Sequence, residues 1–196
     1  DAQVGRGLLL AQLKKFDDAI SALETAFEDS SGSAKANIRS QLAAVLVEKG
    51  EFDAALKHIN DALDNDPESG KFLYQKATIF MQMKEHENAI PIFDDLLALN
   101  EWNHEVLANR AESFMATKQY ANAKEDYEKL QSLTPNDPRM YLRFAQIAEE
   151  QNSAAEELKN YELFLKYLEQ DSVPATELEQ IQKRVEELRA AQDATP

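Results

Sequence analysis

The side chains best suited to chemistry in this chain are scattered. The three histidines, His58, His86 and His104, lack ligand spacing of the HExxH kind, where two imidazoles on one helix face share a metal ion. They are expected at the surface. The acidic pairs Asp17-Asp18, Asp94-Asp95 and Glu149-Glu150 are adjacent, and neighbours on a helix point in different directions, so none forms an acid–base dyad. Glycine-rich phosphate loops, Gly-x-Ser-x-Gly elbows and Asp-x-Asp-x-Asp-Gly calcium loops are missing. There is no cysteine, which removes disulfides, thiol nucleophiles and thiolate metal sites together. Catalytic residues, metal sites and cofactors are therefore not expected, and the chain reads as a non-enzyme. One constellation remains. Arg139 and Arg143 stand one helical turn apart, and two guanidinium groups so placed can grip a carboxylate. The plainer alternative pairs them with nearby glutamates, such as Glu105 and Glu149, on a solvated face.

The elements that position these residues follow from totals and periodicity. A net charge of −15 over 196 residues disfavours nucleic acid, which needs clustered Lys and Arg. It disfavours anionic membrane surfaces for the same reason, and keeps an exposed surface soluble. No apolar run reaches the roughly 20 residues of a membrane span, so direct membrane insertion is not expected. Five glycines and six prolines are too few for a loop-rich β fold.

The organising stretch is Gly50 to Pro67, GEFDAALKHINDALDNDP: a turn, an amphipathic helix and a stop. Ala55 recurs as Ala89 and Ala123 at steps of 34 residues. Such a period points to stacked helical hairpins. A first helix over residues 2–13 is expected to carry Leu9, Leu10 and Leu13, loosened by Gly5 and Gly7. Its partner over 16–29 places Phe16, Ile20, Leu23 and Phe27 on one face. Further hairpins pair 34–49 with 52–65, 69–83 with 86–99, 103–117 with 120–133, and 138–151 with 154–170. The last is degenerate: Glu157 stands where the small Ala would be, and its second helix is expected to run longer. Pro91 removes one donor inside its helix. A final helix over 175–191 carries Leu178, Ile181, Val185 and Leu188 on one stripe, as a terminal cap requires. Residues 191–196 are expected to fray.

Taken together these residues resemble the tetratricopeptide repeat family. Ala55, Ala89 and Ala123 match its small residue at the helix crossing, and Ala43, Ala77 and Ala111 the small residue of the first helix. Ile59, Phe93 and Tyr127 match the large residue one turn on. Phe52 and Tyr120 match the aromatic after the turn, and Pro67 and Pro135 the terminating proline. His86 and Glu101 depart from the last two. The resemblance implies an all-α fold: a right-handed α-solenoid of about five antiparallel hairpins (1–33, 36–69, 70–103, 104–137, 138–170), with residues 171–196 as capping helix and tail. It also implies a concave groove lined by the first helices. One inner column would be Asn37, Lys71, Glu105 and Arg139, and the next Gln41, Gln75, Asn109 and Arg143. Ser40, Tyr74, Ala108 and Leu142 form a third, and Val47, Met81, Met115 and Glu149 a fourth. Some family members clamp C-terminal carboxylates through Lys, Asn and Arg on successive hairpins. Asn109, Arg139 and Arg143 match the later part of that clamp, but Tyr74 and Thr78 replace its first two residues.

The expected function is a protein-interaction module holding a peptide or partner protein in that groove, in a scaffold or adaptor role. Asn37, Gln41, Lys71, Tyr74, Gln75, Met81, Asn109, Met115, Arg139 and Arg143 are the candidate contacts, with an acidic group of the partner near the two arginines. Met81 and Met115 serve either as semi-buried packing or as a ligand lane. Trp102 packs over a seam or is an exposed hot spot. The alternative is a substrate-recruiting region of a larger enzyme or assembly. The irregular first hairpin could also accept a helix from another copy. A start at Asp1 rather than Met suggests a removed upstream segment. With the lack of cysteine it fits an exported bacterial protein of the periplasm or cell envelope; a cytoplasmic protein would look the same.

Overall fold

The computed structural model describes residues 2–168 and 173–193. Among them are eleven α-helices and no strand. They form two compact units, Asp1–Glu101 and Trp102–Pro196. The first holds α1 (Ala2–Gln12), α2 (Phe16–Glu28), α3 (Ser33–Lys49), α4 (Phe52–Leu63), α5 (Gly70–Gln82) and α6 (His86–Leu99). The second holds α7 (His104–Ala116), α8 (Tyr120–Leu133), α9 (Pro138–Glu150), α10 (Ala154–Tyr167) and α11 (Ala175–Asp193).

Each hairpin turns in the same way. Lys14, Gly50, Lys84, Lys118 and Asn152 all have positive φ, between 55° and 87°. The next amide reaches back to close the helix: Lys15, Glu51, Glu85, Gln119 and Ser153 donate to the carbonyls of Leu10, Leu46, Phe80, Phe114 and Ala148 at 2.8–2.9 Å. This left-handed cap satisfies carbonyls that the helix end leaves without a partner. Only Gly50 adopts it without a Cβ penalty.

Small residues set the helix spacing. In the first unit Ala43, Ala55, Ala77 and Ala89 are at most 1% exposed. Ala19, Leu23 and Ala26 of α2 share a core with Ile38, Leu42 and Val45 of α3. Ala43 and Leu46 continue it to Ala55 and Ile59 of α4. In the second unit Ala111, Ala123 and Ala145 are fully buried, and Tyr127 meets Phe144 edge-on at 6.4 Å. There α11 lays Ile181, Val185 and Leu188 on Leu158, Tyr161 and Phe164 of α10.

Several local expectations are corrected. Leu9 and Leu13 are 63% and 68% exposed, because α1 buries Gly7 and Ala11 instead. Gly7 is therefore a packing residue: a Cβ there would stand 2.8 Å from Leu23 Cγ and 3.2 Å from the Ala19 carbonyl oxygen. The second helix of the fifth hairpin ends at Tyr167 and has 14 residues, like α6 and α8; residues 169–172 lie outside those described. Glu157 is 2% exposed, and Arg184 of α11 donates to both its oxygens at 2.7 and 3.1 Å. The capping helix continues through Asp193, and residues 194–196 lie outside those described.

Candidate functional site

In the first unit the structure brings together side chains from neighbouring first helices. Lys71 of α5 donates to the Asn37 side-chain oxygen of α3 at 3.1 Å, on an exposed face. Gln75 exchanges two bonds with Ser40: the Ser40 hydroxyl donates to its Oε1 at 2.5 Å, and its Nε2 donates to the Ser40 carbonyl at 3.3 Å. Gln41 is half-buried, and its Oε1 has no hydrogen-bond partner. Tyr74 and Met81 are half-buried, with the Tyr74 ring tilted 6.3 Å from Phe93. A pocket of about 240 Å³ opens between Val47, Gln75, Thr78 and Gln82.

In the second unit a pocket of about 410 Å³ is lined by Glu105, Glu112, Asp137, Arg139, Met140 and Arg143. Asp137 caps α9, accepting from the Arg139 amide at 2.9 Å. The Arg139 side chain folds back on the same carboxylate through Nε and Nη2 at 2.6–3.1 Å, yet remains 81% exposed. That guanidinium holds the Asp137 carboxyl below the usual carboxylate range. Arg143 pairs with Glu112 at 2.5 Å and donates to Gln146 at 3.0 Å. Glu112 also accepts from Tyr127 at 3.0 Å, and burial chiefly, then the Glu112 charge, pushes the Tyr127 phenol up. Thus Asp137 and Glu112, not Glu105 and Glu149, are the partners of the two arginines. Asn109 and Met115 are half-buried on α7, and Trp102 is 47% exposed.

Two features escaped the sequence. His58 is half-buried rather than superficial, with its Nδ1 buried and unpartnered. It lines a pocket of about 570 Å³ with Glu24, Phe27, Arg39, Lys57 and Asp61. Burial chiefly, and the Arg39 charge, hold its pKa below the ordinary histidine value. Steps of 34 residues lead from His58 to Ile92 and Asp126, half-buried and buried, so the register carried that signal. Asp126, 1% exposed, is held by Arg110 at 2.6 and 2.8 Å. The paired guanidinium offsets the cost of burying that carboxylate.

Among the described residues no group of three or more His, Cys, Asp or Glu could hold a metal ion. Also among them, no helix is long and apolar enough to cross a membrane. The first-helix faces present polar donors and acceptors beside half-buried apolar side chains.

Tetratricopeptide repeat models match residues 10–78 and residues 70–101 and 104–137. The chain belongs to the tetratricopeptide repeat family, a family of helical-hairpin solenoids that serve as protein-interaction scaffolds. A tetratricopeptide repeat protein from Parabacteroides merdae superposes with a TM-score of 0.80 at 16% identity, over 95% of this chain and 71% of that one. A crystal structure of MamA gives 0.74 at 19% identity, over 88% of this chain and 97% of that one. MamA of strain AMB-1 gives 0.68 at 15% identity, over 85% and 97%. These likenesses are of fold. No curated protein matches the chain in sequence.

Proposed function

We propose that this chain is a non-catalytic adaptor that holds a peptide or partner protein on the faces of its first helices, α3 and α5 in one unit and α7 and α9 in the other. The observation that carries this reading is the Arg139–Asp137 arrangement. A guanidinium has five N–H donors, and Asp137 occupies only those on Nε and Nη2. The side chain stands 81% exposed above a pocket it shares with Arg143. An incoming carboxylate can therefore add to Arg139 without breaking the cap of α9. In the other unit Asn37, Lys71 and Gln75 supply donors and acceptors and Tyr74 and Met81 apolar contact, beside the half-buried Gln41.

The test is capture of the partner by the full chain, mapping of the bound segment, and titration. Arg139→Glu with Arg143→Glu should weaken binding about tenfold or more, the loss of roughly one charge-assisted contact, in a chain that circular dichroism still shows folded although the pairs to Asp137 and Glu112 are gone. Unchanged affinity removes the arginines from the site, and unchanged affinity on Lys71→Glu with Tyr74→Ala removes the other face as well.

A further inference from the structure

Helices α2 and α4 leave a cleft between them, lined also by Arg39 and Leu42 of α3, that the groove faces do not use. Its volume of about 570 Å³ lies in the range of cavities that take a ligand. Phe27 and the buried Leu42 form its apolar part. Arg39 and Asp61 pair with each other, and Arg39 lies against the Phe27 ring at 5.0 Å, so that pair is spent. His58 lines the cleft with a buried Nδ1 that has no hydrogen-bond partner. Burial chiefly, then the Arg39 charge, favours its neutral form. Glu24 and Glu28 of α2 stand one helical turn apart in the same lining, both exposed. Among the described residues neither is in an ion pair. With Arg39 and Asp61 set against each other, these two carboxylates face one cation of the lining, Lys57.

The second unit has a cleft at the equivalent place, between α8 and α10 over α9, and it is built differently. Tyr141, Asn160 and Leu163 stand three repeats on from Arg39, His58 and Asp61. Its volume is about 230 Å³, and its Glu128 and Glu156 are balanced by Lys124 and Lys159. The surplus carboxylate, the unbonded imidazole nitrogen and the larger volume belong to the first cleft and not to this one. Those features select the occupant. Excess negative charge in a chain of net charge −15 favours a cation and repels an anion. Two carboxylates one turn apart suit a guanidinium, whose rigid fork of five donors can serve both, better than a compact and strongly hydrated ammonium. A guanidinium is also weakly hydrated and stacks on aromatic rings, so it can enter beside Phe27 and Leu42. We infer that the cleft between α2 and α4 docks an arginine side chain of a partner protein, held by Glu24 and Glu28 and packed against Phe27. The cleft shares no residue with the groove contacts, so it stands or falls independently of them.

The probe is a capped Ala-Ala-Arg-Ala-Ala peptide, titrated into the isotopically labelled full chain and followed by NMR at the His58 ring and the α2 amides. Saturable shifts are expected, with binding weaker as salt rises. The same peptide with citrulline, the neutral isostere, should bind about tenfold more weakly or worse, and the lysine peptide should bind more weakly than the arginine one. Glu24→Gln with Glu28→Gln should also weaken binding about tenfold or more, with circular dichroism unchanged, whereas Glu128→Gln in the second cleft should leave it as it was. Absence of saturable shifts, equal binding of the citrulline peptide, or indifference to the Glu24 and Glu28 substitutions overturns the inference. So does tighter binding of the same peptide with aspartate, which gives the cleft to an anion, or of putrescine, which gives it to a free amine. The same shifts arising from protein concentration alone give it to a second copy and overturn the inference as well.

Discussion

Gly7 and Leu23 approach so closely that a Cβ on the glycine would stand 2.8 Å from Leu23 Cγ. Leu23 is fully buried and cannot swing away. Gly5, two residues earlier in the same helix, has nothing within 4 Å of its would-be Cβ. The same substitution should therefore have opposite signs. Gly5→Ala should stabilise by about 0.5–1 kcal/mol through helix propensity alone. Gly7→Ala gains that term but overpacks the crossing, at about 1–3 kcal/mol, and should destabilise on balance. Chemical denaturation of the two variants checks it.

The contrast shows what was legible in the sequence. The repeat period could be read because the same close crossing recurs every turn of the array, so Ala55, Ala89 and Ala123 are repeated outright. Gly7 occupies the first-helix seat of Ala43, Ala77 and Ala111, but a 36-residue step and an unfamiliar residue type hid it as a helix breaker. Which of Leu9, Leu10 and Leu13 the first helix buries could not be read from apolar type alone, and Leu9 and Leu13 stand exposed. The groove was harder still. Which carboxylate Arg139 and Arg143 choose depends on side-chain reach, and Asp137 and Glu112 win because the first is the cap of the same helix and the second already accepts from Tyr127.

Glu157 tests how the second unit is closed. It fills a seat that holds Ala elsewhere, and Arg184 of the capping helix neutralises it. Arg184→Ala should leave a buried carboxylate unpaired and cost about 1.5–3 kcal/mol, the range for a hydrogen bond to a charged group. Adding Glu157→Ala should recover most of that loss, since the family's own small residue then fills the seat. A double-mutant cycle in urea measures the coupling.

The left-handed turn residues carry a Cβ penalty that glycine avoids. Lys84→Gly and Lys118→Gly should each raise stability, by roughly 0.5–1 kcal/mol after the unfolded chain's greater freedom is subtracted from a penalty of about 1–2 kcal/mol. Thermal melts of the single and double variants should show additive gains.

His58 makes stability depend on pH. Its folded pKa is lowered by burial first and by Arg39 next, with Lys57 adding to this and Glu24 opposing it. The unfolded chain therefore takes up a proton first as pH falls. The neutral side chain's contribution is complete above its unfolded pKa of about 6.5 and is lost as pH drops through that value toward the folded one. The wild-type melting temperature should fall between about pH 7.5 and 5 more steeply than that of His58→Gln. Parallel curves would rule this out.

The faces of the first helices are proposed as recognition surfaces. The most direct test is titration of the captured partner against the chain carrying Lys71→Glu, Tyr74→Ala, Arg139→Glu and Arg143→Glu together. The expected result is a folded protein, unchanged in circular dichroism, whose binding is lost. Full affinity in that variant would contradict the proposal.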